Sequence, residues 1–265
     1  MSYSLYLLIF ILLPSVFMVL LMLIRRNKTE IYNFYASSLT AIILLSIIAL
    51  IYTTPWDNYL VANSIWYYDP SKVIGIVLGY VPIEEYSFFI LETLFVCLFL
   101  MARFQHSSFK FSQKAIFSMT KNRLLSVFLL ASIWILSLVS FLSNDESMMY
   151  LNLLLLWAIP PLALQIFIGW NFIVKNKNII TSTIFLLGTY LSVTDAFAIY
   201  NGIWTINPSF TTGVILLIPL EEILFFFLTT TLISIGYVLI LGISYWQSQY
   251  QVPYKTSKVF STHGQ

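Results

Sequence analysis

Charged side chains are scarce in this 265-residue chain. Only 9% of its residues are charged, against about 25% in soluble domains. Hydrophobic residues make up 59% of the chain, and its mean hydropathy is +0.87. This composition excludes an ordinary soluble domain and predicts an all-α integral membrane protein. The net charge of +2 gives no support for nucleic-acid binding.

Cysteine and histidine are almost missing as well. The single cysteine, Cys97, excludes a disulfide within the chain and a thiolate metal site. His106 and His263 fall in a basic connection and in the C-terminal tail, so no histidine metal site is expected in the membrane. There is no G-x-G-x-x-G dinucleotide motif, and the last apolar segment has no lysine for a retinal Schiff base. We therefore expect neither a cofactor nor a metal.

Long apolar runs dominate the rest of the sequence. A membrane-spanning helix needs about 20 predominantly apolar residues. Seven segments qualify, roughly residues 3–24, 34–53, 73–102, 124–142, 148–172, 179–194 and 213–243. The first lacks a basic leader and a cleavage site, which favours a retained helix over a signal peptide.

The basic residues orient these segments. With seven spans, all but one of the 13 basic residues fall on one side. They are Arg25, Arg26, Lys28, Arg103, Lys110, Lys114, Lys121, Arg123, Lys175, Lys177, Lys255 and Lys258. Lys72 falls on the other side, together with Asp57, Asp69, Asp145 and Glu146. Because cytoplasmic loops are rich in lysine and arginine, we expect a multi-pass protein of the cytoplasmic (inner) membrane, with its N-terminus outside and its C-terminus in the cytoplasm.

The chain also contains an internal repeat. A shift of 138 residues matches Asp57 to Asp195, Asn63 to Asn201, Ile65 to Ile203, Trp66 to Trp204, Pro70 to Pro208, Ser71 to Ser209 and Gly75 to Gly213. A shift of 137 then matches Pro82 to Pro219, Glu84 and Glu85 to Glu221 and Glu222, and Phe88 and Phe89 to Phe225 and Phe226. The predicted organisation is two parallel three-helix repeats (1–103 and 148–245), a basic cytoplasmic loop with a connecting helix (104–147), and a cytoplasmic tail (246–265).

Each repeat places a glutamate pair just after a proline, inside an otherwise apolar segment. If a helix begins at Pro82, the proline suits the first turn and the helix dipole favours the carboxylates of Glu84 and Glu85. If the helix instead runs through, Pro82 frees the carbonyl of Leu78, to which a protonated glutamate could donate. Proline-interrupted segments at matching places in two halves indicate a binding site near the midplane.

Helical spacing puts these acids and several aromatic rings on one face. Glu84, Glu85, Phe88, Phe89 and Glu92 fall within 140° of a helix, as do Glu221, Glu222, Phe225, Phe226 and Thr229 in the second copy. Burial beside a second carboxyl favours a protonated acid. Ring faces stabilise a desolvated cation by about 2 kcal/mol. Together they suit protonation of an olefin to give a carbocation.

Structural explanations stand beside these functional ones. Phenylalanines at helical spacing in a membrane protein are more often packing residues, whereas duplicated glutamates at membrane depth are functional by default. Asp57, Asn63 and Trp66, with their counterparts Asp195, Asn201 and Trp204, are predicted in outside loops, where aromatic anchoring and turn capping explain them as well as a site mouth does. The spacing of Gly75 and Gly79 is typical of close helix packing.

The duplicated P-x-E-E-x-x-F-F motif, "PIEEYSFF" and "PLEEILFF" here, carries a resemblance to a known family. The chain resembles the flavin-independent membrane lycopene cyclases, in particular the fused form of the heterodimeric bacterial lycopene beta-cyclase, over nearly its whole length. The resemblance implies that Glu84, Glu85, Glu221 and Glu222 supply the acid and the base. Which glutamate does which stays open, because coupled carboxyls titrate as a pair.

The resemblance also implies a reaction and its partners. Lycopene and gamma-carotene would be the substrates, entering sideways from the lipid bilayer, and other carotenoid-synthesis enzymes would be partners. The end group would be protonated at C2, close through its C5–C6 double bond and lose the C6 proton to give a β-ring without redox change. An ε-ring or 1,2-hydration is the alternative outcome, and a small proton-coupled transporter is the non-enzyme alternative.

Overall fold

The computed structural model describes residues 1–24, 31–106, 119–215 and 218–250. Within these ranges, seven helices are long and apolar enough to cross a membrane, which confirms the predicted all-α architecture with seven spans. Several predictions concern residues outside these ranges. They involve Arg25, Arg26, Lys28, Lys110, Lys114, Lys255, Lys258, His263 and the tail beyond residue 250.

The first span is built from α1 (Tyr3–Leu7), a π-helical turn (Leu8–Leu12) and α2 (Leu13–Ile24). The other six are α3 (Ile31–Ala62), α4 (Ile83–His106), α5 (Lys121–Leu142), α6 (Met149–Lys175), α7 (Lys177–Tyr200) and α8 (Leu220–Tyr250). Short 3-10 turns lie at Glu146–Met148 and Pro208–Phe210. Helices α4 and α8 are the most buried, whereas α5 is peripheral and packs mainly on α6. The two glutamate pairs therefore begin the two central helices.

Short strands close one end of the bundle. Strand β1 (Trp66–Tyr68) pairs antiparallel with β4 (Trp204–Ile206), so a segment after α3 is bonded to the matching segment after α7. Two hairpins follow: β2 (Val77–Leu78) with β3 (Val81–Pro82), and β5 (Val214–Ile215) with β6 (Ile218–Pro219). Each hairpin leads directly into a central helix. The order helix, strand, hairpin and helix thus occurs twice, while a symmetry axis between the halves stays a prediction.

The third and seventh spans begin later than predicted. Residues 73–82 and the described residues 213–215 and 218–219 are largely apolar, yet they form loops and hairpin strands, and the helices start at Ile83 and Leu220. The prolines therefore precede the helices, as the first of the two interpretations requires. The second interpretation is wrong, because the Leu78 carbonyl accepts from the Tyr86 hydroxyl at 2.7 Å. Hydropathy alone does not separate an apolar hairpin from an apolar helix.

The prediction that Gly75 and Gly79 pack two helices together is wrong. Gly75 and Gly79 have φ of +90° and +68°, the left-handed region that favours glycine, and they lie in the loop and hairpin before α4. A Cβ on Gly79 would lie 2.2 Å from the Asn58 side-chain oxygen. These glycines shape a turn and do not pack two helices together.

The second and sixth spans are longer than predicted. Helix α3 continues to Ala62 and α7 to Tyr200, so Asp57 and Asp195 lie inside helices and not in outside loops. Both aspartates are fully buried. Hydropathy ends a span at such residues because it assumes that every side chain faces lipid, whereas these two face the protein interior.

Two prolines inside the spans each release a backbone carbonyl, which a tyrosine hydroxyl then bonds. Proline lacks the N–H that would bond the carbonyl four residues earlier. The Tyr190 hydroxyl donates to the Phe10 carbonyl, which precedes Pro14, at 2.8 Å. The Tyr52 hydroxyl likewise donates to the Trp157 carbonyl, which precedes Pro161, at 2.8 Å. Both freed carbonyls therefore have a hydrogen-bond donor, as backbone groups in the interior of a membrane require.

Candidate active site

The two glutamates of each pair have different surroundings. In the first turn of α4, Glu84 turns back toward the preceding loop, where its Oε1 accepts from the Ile74 backbone N–H at 2.6 Å and from the Ser4 hydroxyl at 3.4 Å. In α8, Glu221 Oε1 accepts from the backbone N–H and the hydroxyl of Thr212, both at 2.7 Å. The first glutamate of each pair therefore anchors the loop before its helix.

The second glutamate of each pair points into the protein. Glu85 and Glu222 line one small cavity under the β1–β4 ribbon. Each carboxyl accepts a hydrogen bond from a tyrosine of another helix: Tyr3 donates to Glu85, and Tyr150 donates to Glu222 at 2.6 Å. The structure brings together one member from each pair.

Tyr68 adds a second phenol on the Glu85 side. Its phenol is close enough to Glu85 to interact with the carboxyl, and its ring stacks on Tyr3 with centroids 6.1 Å apart. Burial first, and then the carboxyls of Asp57 and Glu85, raise the pKa of Tyr68 well above its ordinary value. Tyr68 is therefore a neutral phenol that can donate. The described residues give Glu85 two phenol neighbours and Glu222 one.

Aromatic rings form most of the cavity wall. The cavity volume is about 30 Å³. Phe88, Phe225 and Phe226 line it as the helical spacing predicted, and Trp66, Trp204 and Tyr3 complete the wall. Phe89 is buried but packs on Phe88 and Tyr86, outside the lining. Carboxyls and ring faces thus share one enclosed space in which a developing cation would meet π-electrons on several sides.

Asp57 and Asp195 extend the acidic cluster. Asp195 lines the cavity and accepts from the Trp204 indole N–H at 2.9 Å. Asp57 is close enough to Glu85 for the two carboxyls to interact electrostatically. Neither its carboxyl oxygens nor the Trp66 indole N–H has a hydrogen-bond partner among the described residues. Both aspartates and both ribbon tryptophans are therefore part of the buried cluster around the cavity.

Other predicted residues lie outside the cavity. The side chains of Asn63 and Asn201 donate to the Tyr59 and Phe197 carbonyls at 2.7 and 2.8 Å, which caps the ends of α3 and α7. Glu92 accepts from the Thr229 hydroxyl at 2.7 Å and links α4 to α8. Pro82 and Pro219 end the hairpin strands just before the glutamates. These residues shape the site without lining it.

No group of three or more His, Cys, Asp or Glu side chains suited to a metal ion occurs in residues 1–24, 31–106, 119–215 and 218–250. The donors around Glu85 and Glu222 are phenols, which bond carboxyls directly. The arrangement is therefore suited to moving protons between carboxyls and a bound apolar molecule.

Comparison with known proteins identifies the family of this chain. The family described as lycopene cyclase matches residues 3–104. A lycopene beta-cyclase of Halobacterium salinarum is 34% identical over 197 residues, which cover 74% of this chain and 80% of that protein. The chain belongs to the lycopene cyclase family.

Fungal members of the family are longer. A bifunctional lycopene cyclase/phytoene synthase of Gibberella fujikuroi is 35% identical over 202 residues, covering 74% of this chain but 34% of that protein. A protein of the same description in Phycomyces blakesleeanus is 31% identical over 205 residues and is covered to 32%. The chain thus corresponds to one part of the fungal proteins. No solved structure matches it.

Sequence reasoning missed the tyrosines of this lycopene cyclase family member. Tyr3 and Tyr150 hold equivalent glutamates, but they are 147 residues apart, whereas Asp57 and Asp195 are 138 apart. The distance from Tyr3 to Asp57 exceeds that from Tyr150 to Asp195 by nine residues, so a search at one fixed shift overlooks the tyrosines. A separate alignment of the first and fifth spans would have found them.

Proposed function

We propose that this chain is a lycopene beta-cyclase that converts the acyclic ψ end groups of lycopene to β-ionone rings by acid–base carbocation chemistry, forming gamma-carotene and then beta-carotene. The observation that supports this most directly is the pair Glu85 and Glu222, two tyrosine-bonded carboxyls in one aromatic cavity. The family's name supports lycopene as the substrate, and the two carboxyls in the aromatic cavity support acid–base chemistry.

The reaction begins and ends with a proton. A carboxylic acid protonates C2 of the end group, which leaves a tertiary cation at C1. The C5–C6 double bond attacks C1, which closes the six-membered ring and moves the cation to C5. A carboxylate removes the C6 proton, and the C5–C6 double bond re-forms. One proton is added and one is lost, so the step is an isomerisation with no redox change and needs no cofactor.

Glu85 and Glu222 are the catalytic acid and base in this proposal, because they line the cavity from opposite central helices. Tyr3 and Tyr150 hold the two carboxyls in place. Glu84 and Glu221 are positioning residues, since their hydrogen bonds fix the hairpins that lead into α4 and α8. General acid–base catalysis of this kind contributes roughly 10²–10⁴-fold to a rate.

The aromatic wall stabilises the cationic intermediate. Phe88 and Phe226 approach edge to face at 6.2 Å, and Phe225 and Phe226 at 5.2 Å, so their rings enclose the cavity on the side of the central helices. Trp66 and Trp204 enclose it from the ribbon. A desolvated cation over such rings gains about 2 kcal/mol. A cyclase must also keep water from this cation, because capture by water would give an alcohol, the product of a hydratase.

The organisation and location follow from the same argument. We place residues 1–103 and 148–245 as two parallel repeats joined by residues 104–147, and we place the chain in the cytoplasmic membrane with its N-terminus outside. The clustering of basic residues at one end of the spans supports this orientation. The bilayer would deliver lycopene and gamma-carotene, and the fungal fusions to phytoene synthase favour neighbouring carotenoid-synthesis enzymes as partners.

Expression in a lycopene-accumulating bacterium tests the function. Pigments are extracted and separated, and we expect beta-carotene, with gamma-carotene as the one-ring intermediate. A protein with both Glu85→Gln and Glu222→Gln is the matched control, with membrane levels compared by immunoblot. Unchanged lycopene in membranes that contain the wild-type protein would overturn the proposal. Epsilon-ringed or hydroxylated products would replace it with the corresponding alternative.

A further inference from the structure

An apolar groove lies on the outer surface of the bundle, between α3 and α6. Its volume is about 540 Å³, within the 300–1,000 Å³ typical of ligand pockets. The cavity beside Glu85 and Glu222 is far smaller, about 30 Å³. A forty-carbon polyene cannot be held by that cavity alone, so most of its length must lie elsewhere on the protein or in lipid.

The groove adjoins the catalytic cavity along both of its helices. On α3, the groove residue Trp56 precedes Asp57, which neighbours Glu85. On α6, the groove residue Leu153 lies one turn from Tyr150, which bonds Glu222 at 2.6 Å. The end of the groove is therefore within one helical turn of the residues that hold the carboxyls.

Three stacked aromatic rings connect the two spaces. The Trp56 and Trp157 rings stack with centroids 4.7 Å apart, and Trp56 lies parallel to Phe225 at 5.9 Å. Trp56 and Trp157 line the groove, while Phe225 lines the cavity. The stack thus continues from one space into the other and offers flat ring faces to a flat, conjugated molecule.

Two polar side chains at the groove are bonded inside the protein, and the Trp157 indole N–H is buried away from the groove surface, without a partner among the described residues. The Tyr52 hydroxyl donates to the Trp157 carbonyl at 2.8 Å, and the Trp56 indole N–H donates to the Leu153 carbonyl at 3.1 Å. What remains facing the groove is aliphatic and aromatic surface, including Ile48 and Ile51. The occupant must therefore be apolar and elongated.

We propose that this groove binds the polyene chain of the substrate while one end group reacts between Glu85 and Glu222, with Trp56 and Trp157 lining the path from groove to cavity. The inference rests on the proposed function, since it names the part of lycopene that the groove takes. Binding of a remote, unreactive part of the substrate lets the enzyme hold the reacting end in place.

Substitutions that fill the groove with a bulky side chain test whether it binds the polyene chain. Ile48→Trp and Ile51→Trp add bulk at residues that are 55% and 68% exposed, without touching the carboxyls. Leu136→Trp on α5, also 68% exposed and outside the groove, is the matched control. Initial rates are measured in membranes with lycopene and with a truncated polyene that keeps one acyclic end group but has too short a tail to reach the groove.

We expect both groove variants to lower kcat/KM for lycopene about tenfold, mainly through KM, and to leave the truncated substrate within about twofold of wild type. Leu136→Trp should change neither. Unchanged lycopene kinetics would overturn the inference and leave bilayer lipid as the occupant. An equal loss for both substrates would also overturn it, since that pattern indicates a disturbed cavity. A wild-type protein that converts neither substrate would instead refute the proposed function.

Discussion

The two halves of the molecule place equivalent carboxyls in one cavity but surround them differently. Glu85 has Tyr3 and Tyr68 beside it, whereas position 206, which matches Tyr68, is Ile206, so Glu222 has Tyr150. Asp195 accepts from Trp204, but Asp57 has no partner among the described residues. An acid and a base need different surroundings to hold opposite protonation states. Small differences between matching positions can supply them.

The outer surfaces of the two halves also differ, next to a pair of matching tyrosines. Tyr52 and Tyr190 make the same bond to a proline-freed carbonyl, at Trp157 and at Phe10. On the first side, Trp157 stacks with Trp56 beside the groove. On the second, Phe10 packs against Phe197 with centroids 5.4 Å apart. The same tyrosine-to-carbonyl bond is therefore surrounded by different aromatic residues in the two halves, which favours different roles for these two surfaces.

Replacing the second glutamate of each pair with glutamine gives the largest expected effect. Glu85→Gln and Glu222→Gln remove a group that donates or accepts the reacting proton, so we expect conversion of lycopene to fall about 100-fold or more. Glu84→Gln and Glu221→Gln keep an amide oxygen for the backbone N–H of Ile74 or Thr212, and we expect about a fivefold loss.

The four variants are compared by pigment separation at equal protein levels in the membrane. The division of roles fails if Glu84→Gln or Glu221→Gln is inactive while its neighbour's variant retains full turnover. That result would return the chemistry to the first glutamate of each pair.

Removing the phenols compares the two halves directly. Tyr150→Phe takes away the hydrogen bond that the described residues give Glu222. Because a buried acceptor left without its partner costs about 1–3 kcal/mol, we expect a rate lower by about tenfold or more. Tyr3→Phe leaves Tyr68 beside Glu85, and the loss should be about threefold.

Tyr6→Phe is the control for these phenols, because the Tyr6 hydroxyl donates to Thr194 at 3.1 Å and not to a glutamate. Rates are measured in membranes with lycopene. Equal losses in Tyr3→Phe and Tyr150→Phe would show that the two carboxyls are supported alike, and the asymmetry between the halves would then need another source.

The tryptophans of the ribbon test the aspartates. Trp204→Phe leaves the buried Asp195 without its indole donor. We therefore expect the free energy of unfolding in detergent to be about 1 kcal/mol lower for Trp204→Phe than for Trp66→Phe. Both variants lose the same ring volume, and the Trp66 indole N–H does not reach ordinary hydrogen-bonding geometry with Asp57, so less is lost there. Thermal unfolding followed by circular dichroism gives the difference. A more stable Trp204→Phe protein would contradict the assignment of that bond.

Much of the fold could be predicted, because span length and hydropathy are properties of the chain alone. The errors have common causes. Residues 73–82 are apolar enough for a helix, but the left-handed backbone at Gly79 turns them into a hairpin. Asp57 and Asp195 ended predicted spans early, because hydropathy cannot tell a side chain that faces lipid from one that faces a protein cavity.

Several residues around the cavity could be singled out from the sequence, but their geometry could not. The repeat singled out four glutamates, yet adjacent residues in a first turn share a helix face, and only the position of the Ile74 N–H decides that Glu84 turns away from the cavity. The tyrosines come from a distant part of the chain, and their register differs from that of the aspartates. Contacts of this kind depend on tertiary packing and not on local pattern.

The smallest expected effect concerns Lys72, the basic residue predicted apart from the others. Its ammonium donates to the Asn201 carbonyl at 2.5 Å and to the Gly202 carbonyl at 3.1 Å, so a residue of the first half caps the C-terminus of α7 in the second. The matching position in the second half is Phe210, which cannot return this contact. Because a cation stabilises a helix C-terminus by about 0.3–1 kcal/mol, Lys72→Met should lower stability by about 0.5 kcal/mol, whereas the exposed Lys177→Met should not. Thermal unfolding of both proteins in detergent distinguishes them, and equal midpoints would mean that this lysine contributes nothing to holding the halves together.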